Sequence, residues 1–372
     1  MKELVVLLLA AVALAWCADH MSFGSLREEK PHRAIFFTVL LILLLGGYAG
    51  LRTRYNDTGA YRHAYETMQA GAAGQMSLKI GANPLFNVVN GWLKGLGVST
   101  QNFLMFWALL TVGGYLLFLH WHGTDYPLTV FLFIVTGCYT FVFAGIKQAA
   151  AMAFAAVGVH FALKRKWVLY GLLLAAGVCI HPYTLLYFLV PVLLFRPWSR
   201  RTYVLLGLAV CAGFLLQPLI GTLVDITAMM GKEYTVDSFT GEGVNLFRVL
   251  VCNVPTLLSW LYRRQLFEDS TREENLMVNL AMLNGAIMFV GLFGTANYFG
   301  RLANYFLLFQ SVSLPWMVKK IGGRDGRTLT IFMVLGYSAY FYYANAINQP
   351  FDQGFARLTV AEYLAQWGGN AP

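Results

Sequence analysis

Long apolar runs, broken by short polar punctuation, set the rhythm of this sequence. Runs near 3–18, 33–51, 101–120, 126–144, 146–163, 167–180, 183–195, 202–224, 246–262, 275–293, 302–318 and 328–346 each predict a helix that crosses a bilayer, about twelve in all. The stretch from Phe143 to Leu194 shows the pattern most clearly. It carries three polar signals, Lys147-Gln148, Lys164-Arg165-Lys166 and His181-Pro182. The fifteen residues between the first two are apolar apart from His160, so a helix sets the clusters roughly 24 Å apart. That is close to the hydrocarbon thickness of a bilayer. His181 follows about one crossing later, which returns the chain to the side of Lys147. The predicted fold is all-α, a single polytopic membrane domain over 1–372 with an external segment 52–100 and an external loop 225–245.

Charge supplies the orientation. Arg27/Lys30/Arg33, Lys164/Arg165/Lys166, Arg196/Arg200/Arg201, Arg263/Arg264/Arg272 and Lys319/Lys320/Arg324/Arg327 fall on one side, sixteen of the 27 basic residues. The positive-inside rule makes that side cytoplasmic. Both termini, segment 52–100, Lys147-Gln148, His181, loop 225–245 and the turn 294–301 then face outward. The assignment requires 167–195 to be two short arms hinged at His181-Pro182. One kinked helix of 29 residues is the rival, and it would put ten basic residues outside. The hairpin satisfies the charge rule, and its short arms set His181 below the membrane surface, at the bottom of a cavity open to the outside.

Composition narrows the class. With 58% hydrophobic and 12% charged residues, the chain lies far from soluble proteins. The net charge of +9 is explained by basic residues bordering apolar runs, and no basic-aromatic stripe for nucleic acid is present. The five cysteines lie in or beside apolar runs without metal-binding spacing, so neither a disulfide framework nor a zinc site follows. The opening MKELVVLLLAAVALAWCA has the outline of a signal peptide, but Trp16 before Cys17 suits a lipoprotein cleavage box poorly. A retained first helix is the reading the topology favours.

Within that frame several polar residues stand out. Arg52 and Arg54 lie outside against the charge trend; their planar forks either grip phosphate oxygens or snorkel to headgroups. Asp57, with Tyr61 and Tyr65 four and eight residues on, is either a general base or a helix N-cap. NPLFNVVNGWLKGLG reads as an amphipathic interfacial helix of about three turns. Lys147 and Gln148 carry a charge and an amide into a span, where such groups usually face a cavity. His181 is an acid/base, a donor to substrate, or a hinge histidine. Arg301, in NYFGRLANYFLLF with Tyr305, is a lone arginine entering an apolar helix, and Arg248 is a weaker candidate of the same kind.

The segments just quoted, together with IKQAAAMAFAAVGVHFALKRK and CIHPYTLLYF, give the chain a resemblance to the EpsG family from about Arg52 to Leu314. That family is similar to the Wzy-type polymerases of bacterial surface polysaccharides. One difference is that the family commonly carries Arg-Gln where this chain has Lys147-Gln148, which keeps the charge but not the bidentate fork. The resemblance implies a metal-independent membrane glycosyltransferase of the GT-C type without a cofactor. Such an enzyme joins oligosaccharide units carried on undecaprenyl pyrophosphate at the outer face of the cytoplasmic membrane, for exopolysaccharide, capsule or O-antigen. Its partners would be the lipid-linked oligosaccharide, the bilayer, a chain-length regulator and a flippase, with no nucleic acid. Asp57 or His181 would deprotonate the acceptor. Arg301 with Arg52 or Arg54 would hold the leaving group, with Tyr61, Tyr65, Lys147, Gln148, Arg248 and Tyr305 also binding substrate or pyrophosphate. The competing functions are a flippase or transporter of lipid-linked sugars and a membrane acyltransferase.

Overall fold

The computed structural model describes residues 1–21, 33–70, 80–231 and 234–366. Arg27 and Lys30 of the charge count, 71–79 of the external segment and 232–233 of the external loop lie outside them. The chain is almost entirely helical. In order, the main helices are α1 Lys2–His20, α2 Ile35–Gly50, α3 Thr58–Thr67, α4 Pro84–Gly95, α5 Thr100–His122, α6 Tyr126–Val135, α7 Cys138–Ala144, α8 Ile146–Leu163 and α9 Trp167–Ile180. The second half contributes α10 Arg200–Phe214, α11 Leu216–Met229, α12 Leu246–Cys252, α13 Val254–Leu261, α14 Arg263–Phe267, α15 Arg272–Val290, α16 Ala296–Asn304, α17 Gln310–Ile321 and α18 Gly323–Tyr342. Two short strands, β1 Arg52–Arg54 and β2 Ala356–Arg357, pair antiparallel.

Among the described residues, three helices are long and apolar enough to cross a membrane: α1, α5 and α8. Counting the bent pairs α6/α7 and α10/α11 as single spans gives up to five. The remaining apolar runs fold as shorter or interrupted helices, so hydropathy counts more crossings than helix length does. The interruptions have local causes. The predicted span 202–224 is bent by 97° after Phe214, because Pro218 lacks an N–H and its ring clashes with the carbonyl four residues back, that of Phe214. α11 then runs to Met229, into the predicted loop 225–245. At α6/α7 the 45° bend coincides with Gly137, whose φ of +91° suits glycine.

α1 lays a stripe of Leu4, Leu8, Ala11, Ala15 and Ala18 against α2 and α6. The three alanines, three or four apart, let helix backbones approach closely. α5 packs between α2 and α8, and α8 packs on α9. At His181 the chain folds back: Pro182–Leu189 forms a 3₁₀ arm, and the Tyr170 hydroxyl donates to the Tyr187 carbonyl. A straight helix would hold those two residues about 25 Å apart, so the contact excludes the single kinked helix. The second arm is 3₁₀ rather than α.

Segment 52–100 is held to the bundle by a small apolar cluster in which Tyr65, Phe86 and Leu93 meet Phe103, Trp107 and Ile180. α4 is the predicted three-turn amphipathic helix, with Phe86 and Leu93 buried and Trp92 and Leu96 exposed. Gly81 lets this segment touch loop 225–245, since a Cβ there would lie 2.4 Å from the Gly231 carbonyl oxygen. The β1/β2 pairing sets Arg52 opposite Arg357, like charges that repel. The conflict is relieved because Arg357 grips Glu3 through two bonds of 3.0 and 3.1 Å while Arg52 turns into the core.

The second half is stitched by buried amides. Asn284 Nδ2 donates to the Ala303 carbonyl at 2.7 Å, and its Oδ1 accepts from Gln310 Nε2 at 2.7 Å. Gln310 also donates to the Cys252 carbonyl, at the break between α12 and α13. Asn279 donates to the carbonyls of Leu193 and Phe195, where the folded-back arm ends. Gln310 and Asn279 serve carbonyls where helices break, and Asn284 gives Ala303 O a second donor beside the Phe306 N–H. Replacing Asn284 with Leu leaves the Ala303 carbonyl with only the Phe306 N–H, takes one acceptor from the buried Gln310 amide, and should lower stability by about 1–3 kcal/mol. Thermal unfolding of the purified protein in detergent measures this, and an unchanged melting temperature would show that the bonds of Asn284 add nothing to stability.

Candidate functional site

α16 begins at Thr295, whose hydroxyl accepts from the Tyr298 N–H at 3.4 Å. Helical spacing then puts Asn297, Gly300-Arg301 and Asn304 on one face, and that face lines a cavity. Arg301 is half-exposed, and its Nη2 stands 3.4 Å from Asp57 Oδ2. A second helix fixes its backbone, because Gln148 Nε2 donates to the Arg301 carbonyl at 2.6 Å. Gln148 is therefore a support of the arginine, working from the first turn of α8. Asp57 occupies the N-cap position of α3, but its carboxylate makes no capping bond and stands beside Arg301 instead.

A few residues further on, α16 ends and Tyr305 lies at the break. Its carbonyl accepts from the Tyr187 hydroxyl at 2.5 Å, and its own hydroxyl meets His181 Nδ1 at 2.6 Å. Thr184 Oγ1 donates to the His181 carbonyl at 2.7 Å, holding the hinge. His181, Gln148, Tyr183, Tyr234, Tyr298 and Tyr305 line a small cavity of about 170 Å³. Asn297 and Arg301 line it too. Its walls are three edge-to-face or tilted aromatic contacts, Tyr183 with Tyr298, Tyr234 with Tyr298 and His181 with Tyr183.

Arg301 and Asn297 also line a second cavity, of about 390 Å³, within the ordinary size of ligand sites. Asp57 lies on its wall, and so does Arg248, whose Nη2 donates to Asn304 Oδ1 at 2.9 Å. The remaining walls come from the α6/α7 break at Thr136 and Gly137 and from Asn345, Asn348 and Gln349 after α18. Two guanidinium groups thus share a cavity with one carboxylate, and Arg301 is common to both cavities.

Not every expected residue is there. Arg52 is buried, with Nε donating to Thr58 Oγ1 at 3.2 Å and Nη1 to the Ala49 carbonyl. Burial lowers its pKa to about 10. Its guanidinium ties α3 to the end of α2 and lines neither cavity. Arg54 is exposed, donates to the Gln353 carbonyl at 3.2 Å and is likewise outside both. Tyr65 packs on Phe103 and donates to the Val98 carbonyl at 2.9 Å, a tether for α3. Tyr61 and Lys147 adjoin the site without lining it. The Lys147 ammonium lies over the Tyr61 ring, 5.6 Å from its centre, and its backbone N–H bonds the phenol. Burial, with Asp57 near by, raises the Tyr61 phenol to about 12.

Residues outside the expected set complete the walls: Tyr183, Tyr234, Thr136, Asn345, Asn348 and Gln349. The last three had a visible signal, three amides in ANAINQP directly after the last apolar run. Among the described residues no three His, Cys, Asp or Glu side chains converge as a metal site requires. The EpsG family model matches residues 35–359. No curated protein and no solved structure matches the chain.

Because Asp57 caps nothing and its pair with Arg301 is half-exposed on both sides, that pair contributes at most about 1 kcal/mol. Asp57→Asn should accordingly unfold within about 1 kcal/mol of the wild type. A larger loss in a thermal melt would restore a structural role for the carboxylate.

Proposed function

The chain belongs to the EpsG family, and from that premise we propose that this membrane protein is a surface-polysaccharide polymerase. In this reading it transfers an oligosaccharide from undecaprenyl pyrophosphate to the sugar hydroxyl of a second lipid-linked unit, at the outer face of the cytoplasmic membrane, as a GT-C-type, metal-independent glycosyltransferase. The observation that carries the proposal is Arg301, shared by a cavity that holds a second arginine and by one that holds His181.

The chemistry asks for three things. As the acceptor oxygen bonds to the anomeric carbon, the bond from that carbon to the pyrophosphate oxygen breaks, and negative charge grows on the leaving group. Arg301 and Arg248 meet that charge with planar donors already in place. The acceptor proton needs a base near the attacking oxygen, on the other side of Arg301. His181 lies there, its ring oriented by Tyr305. Asp57, paired with Arg301, is better placed to align the guanidinium than to take that proton. The tyrosines around His181 offer flat faces for an acceptor sugar. A transporter of the same lipid would use charge along a path between both ends of the bundle; these groups converge at one place.

Reconstitution with a lipid-linked oligosaccharide tests the proposal. The wild type should give a ladder of higher oligomers. Arg301→Ala should reduce extension at least a hundred-fold, as loss of one oxyanion donor does, and Arg301→Lys at least ten-fold. His181→Ala should also abolish extension, while Arg54→Ala stays within about two-fold of wild type because it lines neither cavity. Lipid-linked sugar moved across the bilayer without any oligomer would favour the transporter. Extension by Arg301→Ala at the wild-type rate would remove the site.

A further inference from the structure

The lining of the larger cavity combines two chemistries. Arg248, Arg301 and Asp57 are charged; Asn345, Asn348, Gln349, Thr136 and Thr140 are neutral amides and hydroxyls. A guanidinium recognises phosphate through parallel donors. A primary amide offers two donors and an acceptor on one plane, which complements neighbouring sugar hydroxyls that both donate and accept. Amides and arginines lining one cavity fit a molecule that is anionic at one end and polyhydroxylated at the other.

Two local features show that this wall is built for a ligand. The Thr136 hydroxyl is buried, lines the cavity and has no hydrogen-bond partner among the described residues. Buried polar atoms are paired as a rule, and this one, on a residue of the cavity wall, is left without a partner. The amides, for their part, sit on and just after a π-helical turn, Tyr343–Asn348. Such turns are rare and are found often at functional sites. This turn spends a regular helical ladder to bring Asn345 and Asn348 to the same cavity as Gln349.

We infer that the amide wall of Asn345, Asn348 and Gln349, with Thr136, is the subsite for the sugar ring that carries the phosphate, so that the larger cavity takes a glycosyl phosphate. The inference rests on the polymerase reading for the donor's identity, but the site itself is defined by the geometry. It places the donor ring on the Arg248 side of Arg301 and leaves the aromatic cavity with His181 for the acceptor. Selection among donor sugars then falls to the segment after α18. Asn348 and Gln349 are exposed at the cavity rim, so their truncation removes ligand contacts without disturbing the core.

Thermal-shift titration of the full-length protein in detergent tests this with inorganic phosphate and with glucose, galactose and N-acetylglucosamine 1-phosphates as probes. At least one hexose 1-phosphate should bind the wild type ten-fold or more tightly than inorganic phosphate. The double variant Asn348→Ala/Gln349→Ala should lose that advantage and keep the phosphate response. Arg248→Ala should weaken both. The inference is overturned if no hexose 1-phosphate exceeds phosphate, or if the double variant keeps the full advantage. Hexose 1-phosphate binding as expected, with no oligomer formed on reconstitution, would instead overturn the polymerase reading and leave the subsite standing.

Discussion

Three side chains from three separate elements hold one short length of backbone. Gln148 of α8, Asn284 of α15 and Tyr187 of the folded-back arm donate to the carbonyls of Arg301, Ala303 and Tyr305, at the point where α16 gives out. Inside the protein a carbonyl at a helix end has no water to turn to, so it takes a donor from a neighbouring element; Ala303 O keeps the Phe306 N–H as well. That requirement brings the three elements together, and it sets Arg301 and Tyr305 where they are. The hydroxyl of Tyr305 then orients His181, and the guanidinium of Arg301 meets Asp57. Asn284 and Gln310 extend the same arrangement to the break at Cys252.

The cavities follow from the interruptions. A continuous helix presents a closed cylinder whose polar backbone is used up along its length. Where α6 gives way to α7 at Gly137, where α16 ends, and where α18 passes into its π-turn, the wall opens and polar groups come free. The larger cavity is bounded by all three. A sequence built only of uninterrupted spans would pack well and bind nothing.

Much of this was legible in the sequence. Hydropathy located the helices, and the charge count put Asp57, Gln148, His181 and Arg301 on one side, where the structure brings them into one neighbourhood. The fold-back at His181-Pro182 followed from the same count. Sidedness, however, is a single coordinate. It could not tell Arg301, which reaches the cavities, from Arg52, whose fork is used by Thr58 and Ala49, nor promote Arg248 above Arg54. Those distinctions depend on which carbonyls and hydroxyls lie near by, which only packing decides. The bend after Phe214 was readable from Pro218, and hydropathy averaged over it. The buried amides of α15 and the run after α18 were visible as letters, but their partners are distant in the chain.

The pairing of β1 with β2 joins residues about 300 positions apart, and it has a consequence for biosynthesis. A ribosome feeds this chain into the membrane from its first residue onward, so Arg52–Arg54 emerges long before Ala356–Arg357 does. The wall supplied by Asn345, Asn348 and Gln349 arrives equally late. During synthesis the early helices can insert and pack while the larger cavity still lacks one side. A truncated chain would carry Arg301, Asp57 and His181 and the lining of the smaller cavity, yet leave the larger cavity without its amide wall, and the last few dozen residues thus act as the moment of commissioning.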